Sequence, residues 1–246
     1  MERSSEELPE RFSLLEQNYS RITERISEAA ARSGRTPGDV ELVAVTKTVP
    51  VELINHAIAL GVTHIGENRV QELESKLPAL DTPDGGLKIS VIGHLQTNKA
   101  KKAVEMAGMI QSVDSLHLAR ELSKRSVELG KTTECLIEIN IGDEASKSGV
   151  GFDGAEELVC AVSELEALAV RGLMTIPPVD ADPANTRRFF AKIHKLFIDI
   201  GTKNLHNKNI EMKYLSMGMS ADYAEAIEDG SNMVRIGSAL FGARNY

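Results

Sequence analysis

The chain has 246 residues, 42% of them apolar and 26% charged. That length allows one large domain or two small ones, and the composition excludes a low-complexity tail, a fibrous repeat and a disulfide-stapled miniprotein. With 28 basic against 36 acidic side chains the formal charge is -8, which opposes non-specific binding to nucleic acid but leaves room for a small local anion site.

The first thirty residues carry acidic groups throughout, unlike a secretory signal. No stretch approaches the ~20 apolar residues that span a bilayer, so the cytoplasm is the expected location and no membrane partner is expected. Cys135 and Cys160 are too few for a disulfide framework and read as buried thiols of a reducing compartment.

Phe12, Leu15, Tyr19, Ile22, Ile26 and Ala29 recur at three- and four-residue steps and predict a long first helix, which ends in the RSGRTPGD loop at 32–39. From there strand and helix alternate. Strands are expected at 42–45, 63–65, 88–92, 109–113, 134–141, 170–175, 211–216 and 233–236. Helices are expected at about 50–60, 70–80, 98–107, 116–129, 155–168 and 186–200, with a short one before Gly230. Pro50 suits a first helical turn and Gly61 a stop; Ser115 and Ser220 are candidate N-caps. Loops are expected at 81–86 and 177–183. Eight short apolar strands alternating with helices predict an α/β fold, a (β/α)8 TIM barrel over residues 37–246 with an extra N-terminal helix over 1–36 packed on it. An open doubly wound sheet is the rival on pattern alone.

In such a barrel, function collects where strands end. Lys47 lies just beyond the apolar run Leu42–Val45, where a partly desolvated amine can attack a carbonyl and form a Schiff base. Position alone favours a snorkelling surface lysine. At the last strand end, Gly237 would let an anion approach the amides of Gly237, Ser238 and Ala239, with Arg235 pointing inward one step earlier. Ser216 and Ser220 flank another turn whose hydroxyls could complete the same site. The histidines show no metal-ligand spacing, and His94 alone lies at a strand end. The basic run at 98–102 lacks an aromatic platform, since the chain has six Phe, four Tyr and no Trp; nucleic acid is disfavoured.

Six stretches, VAVTK (43–47), IGENRVQE (65–72), IGHLQTNK (92–99), GLMTIP (172–177), LSMGMS (215–220) and VRIGSALFG (234–242), together resemble the pyridoxal 5'-phosphate homeostasis proteins. The resemblance implies a barrel like the N-terminal domain of alanine racemase and that of eukaryotic ornithine decarboxylase, the pyridoxal-phosphate fold type III. It implies that Lys47 holds pyridoxal 5'-phosphate as a Schiff base, that Arg235 faces the pyridine nitrogen, and that Ser216, Gly237 and Ser238 hold the phosphate. Asn68 and Met217 would lie along the ring and His94 near the mouth. The implied role is intracellular cofactor homeostasis with little or no amino-acid turnover, pyridoxal-phosphate-requiring apoenzymes being the further partners. A racemase is the alternative, but the chain offers no opposing second base, and it stops at Tyr246 without the racemases' C-terminal β domain, so a monomer is expected. Ile89 and Ser90 depart from the family pattern, which has an aromatic residue and a histidine there.

Overall fold

A computed structural model of the chain describes residues 7–83, 86–142, 148–178, 181–203 and 207–242. The expected loops at 81–86 and 177–183 fall partly outside these residues, as do the chain ends, and His206 falls wholly outside. Helix α1 spans Glu7–Arg32, followed by β1 (Glu41–Val45), α2 (Val51–Ala59), β2 (His64–Glu67), α3 (Val70–Lys76), β3 (Lys88–Val91), α4 (Ala100–Met106), β4 (Met109–Val113) and α5 (Leu116–Glu128). The second half comprises β5 (Thr133–Asn140), the two-residue β6 (Val150–Gly151), α6 (Ala155–Ser163), β7 (Leu168–Thr175), α7 (Pro183–Lys203), β8 (Ile210–Ser216), α8 (Tyr223–Glu228), β9 (Met233–Ile236) and α9 (Ser238–Phe241).

Every pairing is parallel. The order runs β4-β3-β2-β1-β9-β8-β7-β5, and a β4–β5 pairing closes the ring into the expected eight-stranded barrel, with β6 hanging on β5. The register carries Ala44 to Ile65 on one side of β1 and Val43 to Arg235 on the other. Two large apolar clusters fill the layer between strands and helices. A smaller one, with Val43, Met109, Leu136, Met174 and Met233 from five different strands, lies inside the ring. This assigns the two faces of each strand. In β5, Cys135, Ile137 and Ile139 pack outward against helices, so Leu136 and Glu138 point inward. In β9, Met233 and Arg235 point inward while Val234 and Ile236 point outward.

The amphipathic stripe of α1 buries Leu15, Ile22, Ile26 and Ala29 against α2, α8 and α9. The Asn18 amide also donates to the Leu240 carbonyl at 3.0 Å. Among the described residues no helix is long and apolar enough to cross a membrane.

Three expectations are corrected. Helix α6 ends at Ser163 rather than Leu168, because β7 starts at Leu168 to match the length of β5, pairing Leu168 with Thr133; the turn uses a left-handed Ala167 (φ 58). Ser220 does not cap α8: Asp222 stands at its N-cap and accepts the Met219 amide at 2.6 Å. Of the two cysteines, Cys135 is buried but Cys160 is exposed, on the outer face of α6. The Ser115 cap is present, its hydroxyl oxygen accepting the Leu118 amide at 3.3 Å.

Candidate functional site

Lys47 stands two residues beyond Val45, where the inward-facing series Val43–Val45 reaches the mouth. The loop that carries it is pinned on both sides from α3. The Lys76 ammonium donates to the Thr46 carbonyl (2.7 Å), to Glu67 Oε1 (2.8 Å) and to Glu72 Oε1 (2.6 Å). Glu72 in turn accepts the Thr48 amide at 2.5 Å. Thr48 has φ 63, a left-handed conformation that costs a β-branched residue energy and persists only where surroundings over-determine it. Glu67 is 1% exposed, and burial pushes its pKa up against the Lys76 ion pair. The sequence hid this network, because Glu67 ends a strand while Glu72 and Lys76 lie on the helix after it, and nothing in the spacing joins them.

Arg235 lies inside the barrel, 3% exposed. Its guanidinium donates to the Ser216 hydroxyl at 2.6 Å and to the Thr175 carbonyl at 2.9 Å. Burial lowers its pKa to about 10, with Glu138 and Asp222 opposing the fall; it remains a cation at neutral pH. From Arg235 a buried chain of hydrogen bonds descends the barrel. Ser216 donates to Gln111 Oε1 (2.8 Å), the Gln111 amide donates to the Ser90 hydroxyl (3.1 Å), and His64 Nε2 meets the same hydroxyl at 2.7 Å. His64 Nδ1 then pairs with Glu41 (2.8 Å), which also takes the Lys88 ammonium (2.7 Å) at the opposite end. Ser90 leaves room for the ring of His64.

The turn after β9 presents converging donors. The amides of Gly237 and Ala239 both donate to the Ser220 hydroxyl oxygen, at 3.2 and 3.1 Å. A Cβ on Gly237 would lie 3.2 Å from Val45 Cβ, so glycine allows the turn to close on β1. The hydroxyl beside these amides is therefore that of Ser220. Ser216, expected there, is fully buried beneath, committed to Gln111 and Arg235.

The remaining expected residues are dispersed around the mouth. Asn68 follows β2 and its carbonyl would lie 2.6 Å from a Cβ at Gly93, so the ends of β2 and β3 touch through the glycine. His94 borders a cleft of about 700 Å³ shared with Gln96, Asp114, His117 and Ser148. Its Nδ1 is 3.0 Å from the Ser148 hydroxyl and 3.4 Å from Asp114. Met217 is fully buried in the apolar layer with Leu215 and Ala226, so its backbone is what it offers to the mouth. Ser238 opens α9.

Comparison with known proteins gives the same picture. The family described as "Alanine racemase, N-terminal domain" matches residues 17–245. A pyridoxal phosphate homeostasis protein of Aquifex aeolicus is 40% identical over 230 residues, 94% of this chain and 98% of that one. The crystal structure of an unknown protein from Bifidobacterium adolescentis superposes with a TM-score of 0.87 at 34% identity, covering 94% of this chain and 95% of that one. PipY of Synechococcus elongatus, solved with PLP bound, superposes with a TM-score of 0.76 at 34% identity, covering 90% of this chain and all of that one. The chain belongs to the alanine racemase N-terminal domain family and, within it, to the pyridoxal phosphate homeostasis proteins.

Proposed function

We propose that this protein binds pyridoxal 5'-phosphate at the barrel mouth and serves cofactor homeostasis, holding the aldehyde covalently through Lys47 and turning over amino acids little or not at all. The observation that carries the reading is the donor set around one mouth: the pinned Lys47 loop, the buried Arg235 cation, and the Gly237 and Ala239 amides converging beside Ser220. A phosphorylated pyridine aldehyde fits that set. The Ser220 hydroxyl proton and the Ser238 amide suit its phosphate, with the Gly237 and Ala239 amides orienting Ser220 by donating to its oxygen; Arg235 suits an unprotonated ring nitrogen and the Lys47 amine its aldehyde. Asn68, the backbone of Met217 and His94 border the same space, and Ser216 serves by fixing Arg235.

The cofactor supplies an electrophilic aldehyde and a ring able to accept electrons. Arg235 sets how far that ability is used. A guanidinium that keeps its proton at neutral pH opposes protonation of a nearby ring nitrogen, and this favours storage over carbanion chemistry. The loop pinning by Lys76 holds Lys47 in register with the mouth whether or not cofactor is present. Passage of the cofactor to apoenzymes belongs to the same proposal.

The test is covalent mapping. Purified protein loaded with pyridoxal 5'-phosphate should show a visible absorption band that borohydride bleaches, with the reduced adduct on the Lys47 peptide. Lys47→Ala should lose the adduct entirely while keeping its unfolding midpoint. An adduct on a different lysine of the wild type would overturn the assignment. So would α-proton exchange of any amino acid at enzymatic rates, roughly 1 s⁻¹ or faster, for the storage role.

A further inference from the structure

We propose that Glu138 is a further ligand-facing residue of this mouth, a carboxyl group that is neutral while the phosphorylated ring is bound and so ties retention of the ring to pH. The inference rests on the cofactor reading above. Glu138 points into the barrel one layer above Leu136, at the level of Met174 and Ser216 in neighbouring strands. It is 8% exposed, and its Oε2 is buried with no hydrogen-bond partner among the described residues. A buried carboxylate oxygen without a donor is costly, and natural structures retain one where something else satisfies it. Lys47, Arg235, Ser220 and the amides of the anion turn account for the aldehyde, the ring nitrogen and the phosphate. Among the described residues none of them hydrogen-bonds to Glu138 Oε2.

Two charges bear on its proton, those of Asp114 and Arg235. Asp114 faces it from the end of β4, with His94 from the end of β3 3.4 Å from Asp114. Arg235 faces it from β9 and is shared with Asp222, before α8. Lys47 stands at the end of β1, and His64, Glu41 and Lys88 lie deeper, toward the other end. Burial pushes the Glu138 pKa up to about 7; Asp114 adds to this and Arg235 opposes it. A phosphorylated ligand adds negative charge and displaces water. Both effects act in the same direction as burial and Asp114, so binding draws one proton from the solvent onto Glu138. In that form the group is a donor as well as an acceptor and can meet an acceptor atom of the ring.

The experiment is calorimetric titration with pyridoxine 5'-phosphate, the alcohol that lacks the aldehyde, so that Lys47 amine chemistry does not enter. Runs at pH 7.5 in two buffers of different ionisation enthalpy read the protons taken up. Wild type should take up a measurable fraction of a proton more than Glu138→Gln. The ratio of wild-type to variant Kd should rise from about one at pH 6 to several-fold at pH 8, within the roughly tenfold per pH unit that one linked proton allows. Equal uptake and a flat ratio would overturn the role of Glu138 while leaving the cofactor reading intact, since the Lys47 adduct is scored separately. A wild type that binds neither pyridoxine 5'-phosphate nor pyridoxal 5'-phosphate would overturn both. Infrared difference spectra of the wild type at pH 8 need no variant. They should show a new carboxylic-acid carbonyl on ligand binding, and its absence would count against the proposal.

Discussion

Glu41 and Glu138 are the same side chain at opposite ends of one barrel, and they are treated in opposite ways. At the closed end Glu41 is held by His64 and Lys88. Burial pushes its pKa up, but those two partners outweigh burial and hold it at about 2. At the mouth Glu138 has a buried oxygen with no hydrogen-bond partner among the described residues, and its pKa rises to about 7. Nearby at the closed end, Arg171 similarly bridges Glu134 at 2.9 Å and Glu211 at 3.0 Å. The closed end satisfies its charges and so adds to stability. The mouth leaves polar capacity unspent, which a ligand can use.

The contrast breaks most visibly in the pH dependence of stability. Glu41 has its folded pKa depressed below 4.5, so its contribution is present above that value and lost as pH falls toward 2. Glu138 has its folded pKa raised above 4.5, so its contribution is present below that value and lost as pH rises through 7. Each shift corresponds to about 3 kcal/mol at 1.36 kcal/mol per unit. In urea denaturation, Glu138→Gln should match wild type near pH 4 and gain up to that amount by pH 8. Glu41→Gln should be less stable than wild type at pH 7 and approach it as pH falls toward 2. Variants that shift with the same sign would erase the distinction between the two ends.

The strand order and the mouth were legible in the sequence; the inner surface was not. Strands β4 and β9 begin and end where the apolar runs do, at Met109–Val113 and Met233–Ile236. Strands buried on both faces lack the alternation that marks an inward set, so nothing in TECLIEIN singles out Glu138 until closure of the ring assigns its faces. Lys47 and Arg235 drew notice because each is a charge beside an apolar strand run, though position alone also allowed Lys47 to be a surface lysine. Ser216 and Ser220 were not distinguishable, being two hydroxyls of one turn. The contacts of Lys76 and Glu72 with Thr46 and Thr48 were hidden because they depend on where α3 lands.

A smaller effect separates the two serines on the side of stability. Ser216→Ala should leave Gln111 Oε1 and one Arg235 nitrogen short of a partner in a fully buried place. The expected cost is about 1–3 kcal/mol, the range for unsatisfied buried groups. Thermal or urea unfolding of the ligand-free protein reads this directly, and an unchanged midpoint would show that the chain below Arg235 tolerates a gap.

Ser220→Ala should behave in the reverse manner. Its hydroxyl accepts the amides of Gly237 and Ala239 and is half-buried at the mouth, so those donors can turn to water when it is removed and the fold should change little. What the variant loses is one hydrogen bond to a charged phosphate, about 1.5–3 kcal/mol, or roughly tenfold to a hundredfold in affinity. The loss should be shared by pyridoxal 5'-phosphate and pyridoxine 5'-phosphate, which have the phosphate in common, and should be absent for unphosphorylated pyridoxal. Equilibrium dialysis of the three ligands against wild type and variant makes the comparison. Equal weakening for pyridoxal would mean that Ser220 contacts the ring, and would move the phosphate away from the turn after β9.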